Sequence, residues 1–305
     1  MTKRADDTVT DVALTAEAGD RSGCPCLLVL SGKETGRIFS LSKAEVTIGR
    51  SEEVDVLIVD PSISRRHAKL RLISPELVSL EDLGSKNGTF FDGQRIAQIE
   101  LHDGDRFQLG ASTILKLTYQ DRIEQEFQRQ LYESATRDGL TGLFNKKFLV
   151  DRLCAEFAYC VRHGVKLSLC MVDIDRFKGI NDRWGHVVGD SVLAQISRLL
   201  LNASRTEDIV CRYGGDEFAV ILREIDERGA ARYAERIRRR VERADFQFID
   251  KDGSQRSIKA TISVGLATLG VTRFATVDDF ITAADKQLYH AKRTGRNRVS
   301  GDGEG

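Results

Sequence analysis

No stretch of this 305-residue chain approaches the roughly 18 consecutive apolar residues of a membrane helix, so no membrane partner is expected. The start, Met1-Thr2-Lys3-Arg4-Ala5-Asp6-Asp7, lacks the apolar core of a signal peptide, and the expected location is the cytoplasm. Net charge is also missing. The 46 basic and 46 acidic residues cancel, which leaves no broad electrostatic footprint for DNA or RNA and makes nucleic acid a poor partner. Most of the six cysteines (Cys24, Cys26, Cys154, Cys160, Cys170, Cys211) sit in apolar contexts without paired metal spacing, so they read as reduced packing residues. Cys24-Pro25-Cys26 is the one pair spaced to bind a metal or to oxidise. The length is enough for two domains.

Residues 1–22 carry few large apolar side chains and predict a disordered tail. From residue 23 to 118 the pattern changes to short β-rich runs at 26–30, 37–41, 45–48, 56–58, 68–72, 77–81, 89–91, 105–109 and 114–118, broken by Gly, Ser, Asn and Asp. Many short strands with almost no helical period predict an all-β sandwich. Its polar residues gather in three loops: Gly49-Arg50-Ser51, Ser62-Ile63-Ser64-Arg65-Arg66-His67 and Leu83-Gly84-Ser85-Lys86-Asn87-Gly88-Thr89. Arg50, Ser64 and Arg65 supply a guanidinium, a hydroxyl and a second cation, a set suited to a phosphate dianion. Each loop alone reads equally well as ordinary turn residues.

Residues 119–137 form a polar connector with Ile123, Phe127 and Leu131 four apart on one face, which predicts an amphipathic helix able to pair with a copy of itself. The second domain, 138–301, alternates helix 148–162, strand 166–174, helices 176–183 and 190–202, hairpin 210–222, helix 228–244, strand 258–267 and helix 277–294. That alternation predicts an α+β sandwich of sheet and helices.

Two acidic clusters organise this domain. The apolar run 167–172 stops abruptly on Asp173-Ile174-Asp175, which reads as a buried strand delivering acid to its carboxyl end. Two β-rich runs flank Gly214-Gly215-Asp216-Glu217, a hairpin signature in which both glycines are expected at positive φ. If the strands are neighbours, Asp173 and Asp216 lie side by side and offer hard oxygens to Mg²⁺ carrying a nucleoside triphosphate. Either cluster alone is equally a hairpin with solvated acids.

Arg-Tyr-Gly-Gly-Asp-Glu-Phe at 212–218, preceded by Val-Asp-Ile-Asp-Arg-Phe-Lys-Gly-Ile-Asn-Asp at 172–182, Gly-His-Val-Val-Gly-Asp at 185–190 and Asp-Gly-Leu-Thr-Gly-Leu-Phe-Asn at 138–145, resembles the GGDEF family of diguanylate cyclases. The Gly-Arg, Ser-x-x-His and Asn-Gly elements of the first domain resemble a forkhead-associated (FHA) domain. The resemblance implies an FHA sandwich followed by the ferredoxin-like palm of nucleotidyl cyclases, and an enzyme that condenses two GTP into cyclic di-GMP and pyrophosphate. By position it implies Mg²⁺ or Mn²⁺, two ions per active site, on Asp173, the Ile174 carbonyl and Asp216. Asp216 is also the candidate acceptor of the ribose 3′-hydroxyl proton, with Glu217 beside it as a second candidate for either task. Lys178 offsets phosphate charge; Asn181 and Asp190 read guanine, with His186 nearby; Lys292 and Arg296 hold the triphosphate. Lys146 stands where the family usually has Arg.

Each domain holds one GTP, so catalysis requires a homodimer with two domains face to face. Arg205-Thr206-Glu207-Asp208 resembles the family's RxxD product-inhibition site, with Arg236 as a secondary contact for cyclic di-GMP. The FHA resemblance assigns Arg50 and Ser64 to phosphothreonine, surrounds them with Arg65, Ser85, Lys86 and Asn87, and makes Gly49 and His67 loop supports. Thr8, or Thr10, is a candidate phosphorylated ligand within the chain; the other source is a separate phosphoprotein. The competing class is a binding module: an inactive cyclic di-GMP receptor or scaffold.

Overall fold

The computed structural model describes residues 23–250, 253–270 and 272–301; Thr8 and Thr10 lie outside them. The first half contains strands β1 (Cys24–Ser31), β2 (Ile38–Ser40), β3 (Glu45–Gly49), β4 (Val56–Leu57), β5 (Ala68–Ser74), β6 (Leu77–Asp82), β7 (Thr89–Phe91), β8 (Gln94–Ile96), β9 (Gln98–Leu101), β10 (Arg106–Leu109) and β11 (Thr113–Gln120). They form two sheets, ordered β2-β1-β11-β10-β7-β8 and β4-β3-β5-β6-β9. Leu27, Phe107, Leu115 and Leu117 of one sheet and Ile48, Leu70, Leu80 and Leu101 of the other are fully or almost fully buried in a shared core. This is the inward half of each strand's alternation, the pattern that makes a sandwich. All nine expected runs are strands; β8 and β9 carry no apolar period in sequence, because Gln94, Arg95, Gln98 and Glu100 are exposed.

The connector helix α1 (Arg122–Thr136) begins later than its pattern suggests, because β11 continues through Gln120 and Asp121 caps the helix. Asp121 and Glu124 form a reciprocal capping box that satisfies first-turn N–H groups. The helix buries nothing: Ile123, Phe127 and Leu131 are 80%, 59% and 47% exposed.

The second half runs β12 (Phe144–Asn145), α2 (Lys146–His163), β13 (Leu167–Ile174), α3 (Phe177–Trp184), α4 (His186–Leu201), β14 (Ile209–Gly214), β15 (Glu217–Arg223), α5 (Glu227–Arg243), β16 (Phe246–Ile249), β17 (Gln255–Ile258), β18 (Ile262–Leu269), α6 (Val277–Arg293) and β19 (Val299–Gly301). The main sheet is ordered β12-β14-β15-β13-β18-β19, with β13 antiparallel to both β15 and β18. Every residue of β13 is buried. Cys170 and Val172 face the core shared with α4 and α5, while Leu169 and Met171 face α2 and α6. Both faces are covered, which is why the strand is largely apolar instead of alternating, with Ser168 and Asp173 its polar exceptions. The expected strand at 258–267 divides in two: β17 pairs with β16 in a separate hairpin, and β18 joins the main sheet.

The halves meet along α2. Glu156, 1% exposed, receives Lys33 at 2.7 Å from the sandwich, Arg223 at 3.1 Å from β15 and Arg152 at 3.3 Å from its own helix. Arg152 also donates to the carbonyl of Val59 in the sandwich.

Candidate active site and ligand clefts

Register puts Asp173 of β13 directly opposite Glu217 of β15. Asp216 is one residue further out, in the turn, and its carbonyl accepts from the Ile174 N–H at 3.3 Å. The acids thus share one sheet end, with Glu217 instead of Asp216 as the in-register neighbour. The turn also differs from expectation: Gly215 alone has positive φ (51°), and Gly214 remains in β14, paired with Glu217. Arg212 donates to the Gly215 carbonyl at 2.8 and 3.0 Å and pairs with Asp138 at 3.2 Å; Asp138 also accepts from the Thr141 N–H and hydroxyl. The start of the second domain therefore braces the glycine turn. Lys146 lies 4.1 Å from the Tyr213 ring centre, a cation–π contact in the same brace.

Asp173 is 7% exposed and binds the Lys292 ammonium at 2.7 Å. Burial pushes its carboxyl up, Lys292 pulls it down, and Asp216 and Glu217 add to the rise, leaving it at about 6. A buried carboxylate of this kind calls for a compensating cation. Among the described residues no three acid, His or Cys side chains converge as a metal cage. Yet the Asp173 carboxylate, the Ile174 carbonyl and the Asp216 carboxylate are hard oxygens gathered at one strand end, the donor chemistry that Mg²⁺ or Mn²⁺ takes.

Asp175 has a role that its motif did not announce. Buried, it accepts from Thr261 at 2.7 Å, Ser263 at 2.6 Å and the Asn297 N–H at 2.9 Å. It thereby ties down the turn at Gly295-Arg296-Asn297, in which Arg296 and Asn297 have φ of 62° and 47°. Arg296 lines a cleft of about 800 Å³ together with Arg176, Arg183, Trp184 and Lys259. Lys178, on the first turn of α3, is exposed, as are His186 and Asp190 on the first turns of α4. Between these helices the buried Asn181 Oδ1 has no hydrogen-bond partner among the described residues. Gly189 leaves room for it: a Cβ there would lie 1.9 Å from that oxygen.

Arg205, Asp208 and Arg236 share a second cleft of about 460 Å³, also lined by Lys166 and Arg232. It sits at the far end of β14 from the glycine turn, about 20 Å of strand away. Asp208 is buried; one oxygen accepts from the Arg205 N–H at 2.9 Å and the other has no hydrogen-bond partner among the described residues. Burial pushes its carboxyl up.

A third cleft, about 690 Å³, is lined by Arg50, Ser64, Arg65, Lys86 and Asn87 at the loop end of the sandwich, and by Tyr159 of α2. His67, fully buried, accepts from the Ser64 N–H at 3.0 Å and reaches the Gly88 carbonyl at 3.1 Å, so it fastens two of the loops. That pattern requires a neutral ring with its proton on Nε2. Burial holds the His67 pKa below its ordinary value. Ser85 is a correction. It is 5% exposed and its hydroxyl is spent on Asp82 at 2.6 Å and the Gly88 N–H at 2.9 Å, so it holds the loop from inside and cannot face a ligand. Of the Cys24-Pro25-Cys26 pair, Cys24 is exposed and Cys26 is buried, and burial pushes the Cys26 thiol up to about 11.

The family model described as "Diguanylate cyclase, GGDEF domain" matches residues 135–298, and the FHA domain model matches residues 46–110. Escherichia coli diguanylate cyclase DosC is 40% identical over 176 residues, 56% of this chain and 37% of that protein. Diguanylate cyclase A of Treponema denticola is 37% identical over 174 residues, 56% of this chain and 45% of that protein. The chain thus spans less than half the length of these relatives. Among solved structures, the coiled coil and GGDEF domain of Caulobacter crescentus DgcB in complex with c-di-GMP is similar, with a TM-score of 0.54 and 32% identity, covering 59% of this chain and 92% of that one. So is Pseudomonas aeruginosa diguanylate cyclase SiaD in complex with its activator SiaC, with a TM-score of 0.52 and 33% identity, covering 59% of this chain and 66% of that one. With a sheet end, a glycine turn and a model match over more than half its length, the chain belongs to the GGDEF family of diguanylate cyclases.

Proposed function

We propose that the chain is a diguanylate cyclase that condenses two GTP into cyclic di-GMP, is inhibited by its product at Arg205 and Asp208, and is regulated through phosphothreonine binding at the FHA cleft. The observation that carries the reading is the buried Asp173 carboxylate beside Asp216, Glu217 and Lys292 at one sheet end. Asp173, the Ile174 carbonyl and Asp216 hold the divalent metal, which when bound polarises the α-phosphate and lowers the pKa of the 3′-hydroxyl. Asp216 accepts the hydroxyl proton. Lys292 exchanges its contact with Asp173 for the triphosphate, and with Arg296 and Lys178 it neutralises charge on the leaving pyrophosphate. Asn181 and Asp190 read the guanine edge, with His186 nearby. Ring closure joins two substrates, so two chains act face to face, and the exposed Ile123-Phe127-Leu131 stripe of α1 is the surface on which they pair. In this reading the FHA domain spans residues 23–118, the connector 119–137 and the cyclase domain 138–301.

The direct test is incubation of purified protein with GTP and Mg²⁺ followed by chromatography for cyclic di-GMP; a folded dimer that makes none would overturn the enzyme reading. A Gly189→Ala variant is expected to displace Asn181, because its Cβ would sit 1.9 Å from Oδ1. Steady-state kinetics should then register a higher KM for GTP with a smaller change in kcat. Arg205→Ala is expected to relieve product inhibition, since it removes charged hydrogen bonds worth about 1.5–3 kcal/mol each. Titrating cyclic di-GMP into the assay checks this, and equal inhibition of variant and parent would count against that site.

A further inference from the structure

We infer that the phosphothreonine cleft is closed on one side by the cyclase half of the chain, and that Tyr159 of α2 is a specificity-determining contact for a residue flanking the phosphothreonine. The inference rests on the FHA reading and deepens it. Tyr159 lines the same cleft as Arg50, Ser64 and Asn87 although it is separated from them by the whole connector. It is half-buried, packed on the α2–α6 core, and stacked on His163 with ring centres 4.2 Å apart. The ring is therefore held as a wall at the cleft edge and loses little freedom on contact with a ligand.

The loop that carries Ser64 is anchored to the same helix. Arg152, 4% exposed, donates to the Val59 carbonyl, five residues before Ser64, and one turn further along α2 Glu156 binds Lys33 and Arg223. The distance from Tyr159 to the phosphate-binding loops is thus fixed by buried charge and not by a surface touch.

The composition of the cleft names the ligand. Arg50, Arg65, Arg66 and Lys86 face a single acid, Glu53, so the peptide around the phosphothreonine is acidic and a cationic side chain is disfavoured. With cations excluded, an aromatic wall takes a large apolar or aromatic side chain. The ligand is an acidic phosphothreonine peptide carrying one such residue. Because it touches both halves of the chain, its binding favours the arrangement in which the halves are packed together.

The test uses the full-length protein and a degenerate peptide library with phosphothreonine at its centre. Peptides retained by the parent protein should be enriched in acidic residues and in a large apolar residue at one flanking position. Tyr159→Ala should weaken the selected peptide about tenfold and lose the preference at that position, while Tyr159→Phe stays within about twofold. In the parent protein, replacing the apolar peptide residue by alanine should give a similar loss, which needs no variant to fold. Arg50→Ala should abolish phosphate-dependent binding altogether. If Tyr159→Ala keeps parent affinity and selection while Arg50→Ala loses binding, the composite wall is wrong and the FHA reading stands. If Arg50→Ala binds as the parent does, or no library peptide binds the parent, the FHA reading itself fails.

Discussion

Asp216→Asn is expected to leave a folded protein that makes essentially no cyclic di-GMP, with turnover reduced by about 10³-fold or more. The substitution keeps volume and one carbonyl oxygen but removes the negative charge that would bind the metal and take the hydroxyl proton. Its structural cost is small, because Asp216 sits in the turn and its backbone carbonyl, which accepts from the Ile174 N–H, is unchanged. Asp173 should feel the change as well: Asp216 is one of the charges that raise its pKa, so Asp173 ionises more readily in the variant. A weakened site with an intact fold is the signature to look for. Thermal melting within a degree or two of the parent, together with chromatography of a GTP reaction, checks both halves of the expectation. Full turnover by the folded variant would remove Asp216 from the mechanism.

The parts of this protein that were legible in the sequence are those in which a local pattern carries the physics. β13 announces itself because a strand buried on both faces must be mostly apolar, and its apolar run ends at Asp173, one residue before the strand itself does. The FHA domain is legible because its Gly-Arg, Ser-x-x-His and Asn-Gly elements fall in loops between short β-rich runs. Where partners are distant in sequence, local pattern says nothing. Asp175 reads like another acid of the cluster, yet Thr261, Ser263 and Asn297 claim it from 86, 88 and 122 residues away. Ser85 reads like a ligand contact, and only the loop's packing turns its hydroxyl inward to Asp82. The β16–β17 hairpin is not legible in sequence, because Phe246 and Phe248 alternate with exposed residues over only four positions, too short a run to stand apart from its neighbours. α2 shows its core face in Leu149, Leu153 and Phe157, but nothing in its period says that Arg152, Glu156 and Tyr159 meet the sandwich.

Glu156→Gln is expected to destabilise both halves of the chain together, by about 3–5 kcal/mol at neutral pH. The carboxylate is almost wholly buried and gathers Lys33, Arg152 and Arg223; a neutral amide leaves three cations in a shared, poorly solvated site. Among the described residues two Arg152 nitrogens already lack hydrogen bonds, so the variant weakens a guanidinium that is short of acceptors in the parent. Burial alone would push the Glu156 carboxyl up, but Arg223, Lys33 and Arg152 outweigh it and hold the group below the ordinary glutamate range. The sign follows: the folded state holds this proton less tightly than the unfolded chain. The stabilisation is therefore complete above an unfolded value of about 4.3, and it is lost as pH falls through the lower folded value. Urea unfolding at pH 7 should separate parent and variant clearly, and the gap should narrow at pH 4 and below. Lys33→Met, combined with Glu156→Gln in a double-mutant cycle, isolates the part of this energy that crosses from one half of the chain to the other. A coupling of about 1 kcal/mol or more is expected. Additive effects would mean that Lys33 and Glu156 act separately, and with that the fixed placement of α2 against the sandwich would lose its energetic basis.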